Sequence, residues 1–187
     1  MAVDAFIYFI PNDNAKSYLP KGETMDDYFK DRNAFEIKEF SFDIENAATL
    51  GSATSGAGGG KAKFNEFTIK KTTDSASSMF FRNCAAGLHY RTAILAIRKS
   101  GGDTESAGKP FLEYSFGLVF TTKIEWSGPG DEGPEESITF AYGSLGIRYW
   151  KQEEDGSMKE KRIVGWDQVK NANIDEKQLV FDEIVKA

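Results

Sequence analysis

Leu112-Glu113-Tyr114-Ser115-Phe116-Gly117-Leu118-Val119-Phe120-Thr121-Thr122-Lys123-Ile124-Glu125-Trp126 decides how the chain is read. Seven of its eight even positions are apolar (Leu112, Tyr114, Phe116, Leu118, Phe120, Ile124 and Trp126), and the odd positions are mostly polar or small. Strict alternation is the period of a strand, because successive side chains leave a pleated backbone on opposite faces. About 15 residues at about 3.3 Å each make a strand roughly 50 Å long. Strands of about 5–6 residues are usual. One this long either bends round a barrel or runs beyond its own domain.

The same period recurs outward from this stretch. Phe35 and Ile37 change phase to Phe40, Phe42 and Ile44; Phe64 changes to Phe67 and Ile69; Ile138, Phe140 and Tyr142 change to Leu145, Ile147 and Tyr149, with Gly143 and Gly146 about the switch. Such phase slips are the mark of β-bulges, which curve a sheet towards closure. Residues 88–99 are apolar on both faces, which calls for a layer packed over them, such as a helix. A helix is signalled from a cap at Asp74 or Ser75 to an αL stop at Gly87, with Ala76, Met79, Phe80 and Cys84 along one stripe. Residues 11–33 read as a long connection, and 175–186 as a last strand or a short helix. The fold expected is mainly β: one barrel or rolled sandwich over 1–187, with one α-helix packed outside it.

Composition bounds the function. The 187 residues are 40% hydrophobic, enough for one sizeable core. Charge is −6, from 23 basic and 29 acidic residues, which argues against a dedicated nucleic-acid binder. One cysteine, Cys84, excludes an intrachain disulfide, and with one histidine it excludes zinc sites built from several such ligands. The start has an acid, Asp4, where a signal peptide needs positive charge, and its apolar run stops at Pro11, too short to span a bilayer. The expectation is therefore a cytoplasmic protein without direct membrane insertion, leaving the cell, if it does, without a signal peptide.

Candidate chemistry fails on spacing. Residues 46–60 hold five glycines and no charge, followed by Lys61. A phosphate loop needs Gly at 55 and Ser or Thr at 62; the chain has Ser55 and Ala62. A flexible linker or an uncharged loop docking on a neighbouring copy remains, and the second is preferred because long loops in compact domains carry function. Thr49, Leu50, Gly51, Gly56, Gly58, Gly59, Gly60 and Lys61 are the candidate interface residues. His89 reads as structural, and Cys84 as a buried inert thiol. Asp131, Glu132, Glu135 and Glu136 read as a solvated hairpin tip, as do Glu153, Glu154 and Asp155. Phe64, Phe67, Phe116, Phe120, Trp126, Tyr149 and Trp150 read as core or interface. No catalytic residue, metal site or cofactor is expected.

Several segments, in their order along the chain, resemble the haemolysin-coregulated protein (Hcp) family, the tube protein of bacterial type VI secretion. They are Ala2-Val3-Asp4-Ala5-Phe6-Ile7, Phe40-Ser41-Phe42, Lys61-Ala62-Lys63-Phe64, Phe67-Thr68-Ile69-Lys70-Lys71 with Asp74-Ser75-Ala76-Ser77, Gly87-Leu88-His89-Tyr90, Ala96-Ile97-Arg98-Lys99, Leu112-Glu113-Tyr114 and Gly165-Trp166-Asp167. The insert 11–33, the acidic extension 168–187, and Phe42 where many members carry tryptophan depart from the pattern. The resemblance implies a phage-tail-tube-like barrel and a homo-hexameric ring stacking into a tube. It also implies a contractile sheath, a spike and effector proteins as partners, export with the tube, and effectors sometimes carried in the lumen. The competing expectation is a monomeric barrel carrying a small apolar ligand.

Overall fold

β8 (Leu112–Gly130) and β9 (Gly133–Gln152) form the long antiparallel ribbon on which the molecule is built. The computed structural model describes residues 3–12, 16–50, 57–99, 109–130, 133–154 and 157–181. The remaining strands are β1 (Val3–Ile10), β2 (Phe35–Ile37), β3 (Glu39–Ser41), β4 (Ile44–Leu50), β5 (Ala57–Phe64), β6 (Phe67–Thr72), β7 (His89–Lys99), β10 (Met158–Asp167) and β11 (Ala172–Asn173), with one helix, α1 (Ser77–Ala86). Among the described residues nine strands make one sheet, ordered β11-β10-β9-β8-β7-β1-β2, with β6 pairing both β9 and β3. The mainly β fold with one helix is as expected. The sheet rolls up but does not close as a barrel. Where β2 gives way to β3, a single backbone bond, Lys38 N–H to Lys70 O at 2.8 Å, bridges towards β6.

The alternation in β8 does not keep one face inward. Tyr114 and Phe116 face the main core, but at Leu118, with φ +52°, the strand kinks, so Val119 is buried and Leu118 is about half exposed. A register shift between Thr121 and Lys123 returns Ile124 to the core side. Irregular backbone restores the twist that an unbroken 19-residue strand would lose in curling round a core. The slip near residue 38 has another cause: β2 pairs with β1 and β3 with β6, so the chain changes partner there.

Two apolar layers result. The main core stacks Phe67 on Phe116 at 4.3 Å, and Phe9, Phe35 and Phe140 surround Phe80 of α1. The doubly buried β7 is covered on its other face by Phe29 from the 11–33 segment, by Ala34 just after it and by Val180, not by the helix. Ser115 Oγ donates to Val180 O at 2.6 Å and Tyr8 OH to Phe181 O at 2.7 Å, so residues 179–181 lie as a strap across the outside of the sheet. The strap follows a 3-10 turn, Glu176–Gln178, capped by Asp175.

The helix begins one or two residues later than the expected cap at Ser75 or Asp74. Ala76 stands at its N-cap, and Asp74 serves instead by accepting the Ala76 N–H at 3.0 Å. Gly87 ends it at φ +65°, as expected. Cys84 is half-buried rather than buried.

Candidate functional site

Of the stretch read from sequence as a loop over 46–61, the described residues are strand: Ile44–Leu50 and Ala57–Phe64 pair as a projecting antiparallel ribbon. β4 and β5 form a two-stranded sheet of their own, apart from the main sheet. Its root is tied by Asn65, whose N–H reaches Asp43 O at 3.1 Å and whose side-chain amide donates to Asp43 Oδ2 at 2.6 Å and Glu45 Oε1 at 3.1 Å. Ile44 pairs with Phe64, Glu45 with Lys63 and Asn46 with Ala62; after a shift, Ala48 pairs with Gly59, Thr49 with Gly58 and Leu50 with Ala57. Two-residue alternation therefore places Ile44, Phe64, Ala62 and the polar Asn46 on one side of the root and Glu45 and Lys63 on the other. Phe64 turns inward onto Tyr142 at 6.3 Å. Beyond it, Ile44 to Ala47 and Gly60, Lys61 and Lys63 are exposed.

Of the candidate interface residues, Thr49 and Leu50 lie in β4 and Gly58, Gly59, Gly60 and Lys61 in β5, while Gly51 and Gly56 lie outside the described residues. Strands replace the expected loop because glycine, though a poor strand former, is needed at the shift. A Cβ on Gly60 would sit 2.7 Å from Ala47 O.

A second surface went unnoticed in the sequence. Val164 and Trp166 of β10 lie opposite Ile147 and Leu145 of β9, on the sheet's inner side, yet are 47% and 37% exposed. Tyr149 beside them is also exposed. The inner face thus runs on past the filled core into solvent. Alternation alone carries no sign that a strand overhangs its core.

Charged residues are used structurally. Glu136, expected at a solvated tip, is buried instead: Lys71 Nζ lies 2.8 Å from its Oε1 and 2.8 Å from Asp74 Oδ2, Ser77 Oγ donates to it at 2.8 Å, and Trp126 Nε1 at 3.1 Å. This ties α1 to the long ribbon. Glu135 pairs with Lys38 at 2.8 Å, whereas Asp131 and Glu132 lie outside the described residues. Arg148 bonds Glu113 at 2.5 Å beneath Phe181. His89 stacks on Phe120 at 4.9 Å. The Tyr142 hydroxyl is buried without a hydrogen-bond partner among the described residues, and burial, with the Asp43 carboxylate adding, pushes it up to about 12. Among the described residues there is no group of three or more His, Cys, Asp or Glu fit to hold a metal, and no helix long and apolar enough to cross a membrane.

Comparison with known proteins gives this architecture its relatives. Residues 12–149 match the family model described as "Type VI secretion system effector, Hcp". Protein hcp1 of Pseudomonas aeruginosa is 27% identical over 98 residues, which are 52% of this chain and 59% of that protein. A solved type six secretion system protein superposes with a TM-score of 0.78 at 27% identity, over 92% of this chain and all of its own. Hcp1 from Salmonella typhimurium superposes at 0.68 and 24% identity, over 93% of this chain and all of its own, a likeness of fold. With the family model spanning most of the long ribbon, the hairpin and the helix, the chain belongs to the Hcp family of the type VI secretion system.

Proposed function

We propose that this protein is a structural subunit that forms hexameric rings, which stack into the inner tube of a type VI secretion system. The tube is then exported with effectors carried in its lumen; sheath, spike and effectors of the same apparatus are its partners. The supporting observation is the hairpin. A two-stranded ribbon alone is marginal in water, and this one leaves Ile44 exposed with no layer of its own chain over it among the described residues. Such a ribbon is stabilised by docking on another molecule, and in a tube of stacked rings that molecule is a neighbouring copy of this chain. The low charge of residues 46–60 reduces the desolvation cost of docking.

The interior of the rolled sheet is filled by Phe67, Phe116 and Phe140. The groove along Glu23, Glu36 and Asp74, about 560 Å³, is open and partly acidic. Neither feature favours a carrier of a small apolar ligand.

Light scattering tests the reading. A mass near six times 20.8 kDa is expected, and a solution that stays at 20.8 kDa under all buffers overturns it. Deleting 51–60 should leave rings and abolish tubes; surviving tubes or lost rings would count against a stacking role for the hairpin.

A further inference from the structure

Residues 179–181 lie on the outer face of the sheet as a ligand lies in a groove. Among the described residues no strand pairs with them, and the chain reaches them through the exposed turn Glu176–Gln178. The backbone is extended at Leu179, with φ −80° and ψ 133°. Side chains of the sheet, not a strand ladder, grip it. Ser115 Oγ and the Tyr8 hydroxyl, on residues 4% and 1% exposed, donate to the successive carbonyls of Val180 and Phe181. Such bonds hold a main chain whatever its sequence.

Two further features read side chains. Gly146 and Gly165 are register partners in β9 and β10, and a Cβ on either would lie 2.8 Å from Leu179 Cδ2. Together they leave a notch that the branched end of Leu179 fills. Two residues on, the Arg148 guanidinium lies 4.6 Å from the centre of the Phe181 ring and 4.4 Å from that of Trp150, and Glu113 fixes it by a 2.5 Å ion pair. Alternate side chains of an extended chain leave on one side. Notch and guanidinium therefore select a leucine and a phenylalanine two apart, and Val180 between them is only half-buried. Bonds to the main chain combined with pockets for alternate side chains are a general means of recognising an extended peptide.

We propose that this groove is a binding site for an extended Leu-x-Phe segment, filled here by the chain's own residues 179–181 and open to a segment of that pattern from a partner protein. The inference goes beyond ring assembly and does not rest on it. Exchange of straps between copies replaces each contact by an identical one and ties two chains together, so no new contact offsets the freedom lost. A partner segment competes instead with a tethered strap whose effective concentration is on the order of mM.

The test uses the full chain carrying Leu179→Ser and Phe181→Ala, which disables its own strap, and a capped synthetic octapeptide, Ile174-Asp175-Glu176-Lys177-Gln178-Leu179-Val180-Phe181. Binding to the folded chain alone should raise the melting temperature by about 3–5 °C for each tenfold rise in peptide above its Kd. The octapeptide bearing the same two substitutions should leave it unmoved. No rise with the native peptide, or an equal rise with the substituted one, overturns the proposal. A second measurement uses the unsubstituted chain and so does not depend on the variant folding. With the octapeptide at about 10 mM, well above the strap's effective concentration, amide exchange in residues 176–181 should quicken at least about twofold while residues 89–99 stay protected. Unchanged exchange in 176–181 contradicts the proposal.

Discussion

At the residue scale, the most consequential side chain is Lys71. It is 1% exposed and held between Glu136 and Asp74, so its ammonium is desolvated and paired. Removing one partner of such a pair leaves a buried charge uncompensated, at a cost of about 3–5 kcal/mol. Lys71→Met should lower the denaturation free energy by that order, and Lys71→Met with Glu136→Gln should recover part of it; urea unfolding of the three proteins measures both. Tyr142 works in the opposite direction. Its hydroxyl is buried and unpartnered among the described residues, so Tyr142→Phe should raise stability by about 1 kcal/mol at pH 8. The folded protein holds the phenol proton more tightly than the unfolded chain, with a value near 12 against an ordinary 10. That contribution is complete below pH 10 and is lost as pH climbs from 10 towards 12. The phenylalanine variant should show a shallower alkaline loss in urea titrations between pH 9 and 12, and parallel curves for the two proteins would refute the account.

At the scale of elements, the hairpin and the strap behave differently because their contacts differ. β4 and β5 are held chiefly to each other, whereas the strap is seated in the body: Leu179 fills the space above Gly146 and Gly165, and Phe181 is buried over Arg148. Gly60→Val puts a side chain where Ala47 O stands. It should open the ladder beyond Asn46 and speed amide exchange in residues 44–50 while leaving β7–β9 protected. Phe181→Ala should instead destabilise the whole domain by about 3–5 kcal/mol, since it empties a site between the outer sheet face and the buried Glu113–Arg148 pair. Calorimetry of the two variants separates the cases: a lower melting temperature for Phe181→Ala and little change for Gly60→Val.

At the scale of the whole molecule, charge governs how copies meet. In the proposed ring, six chains at −6 carry −36 formally, so such rings should repel one another at low salt. Raising ionic strength from about 0.01 to 0.15 M shortens the screening length from about 30 to 8 Å. Stacking followed by turbidity should therefore increase over that range, and tubes that dissolve under it would contradict a charge-limited approach. What the chain alone determined is the period: alternation through 112–126, the doubly apolar 88–99 and the stop at Gly87 specify strands, a double-layered strand and a helix end, because side-chain direction is a local property of the backbone. Tertiary structure decided which faces those strands turn inward, that Glu136 lies buried against Lys71 rather than at a wet tip, that residues 44–50 and 57–64 pair as a ribbon apart from the main sheet, and that Val164 and Trp166 overhang the core. Each of these depends on contacts between segments distant along the chain, where the kink at Leu118 and the change of partner near Lys38 set the geometry, and local periodicity carries no record of such distances.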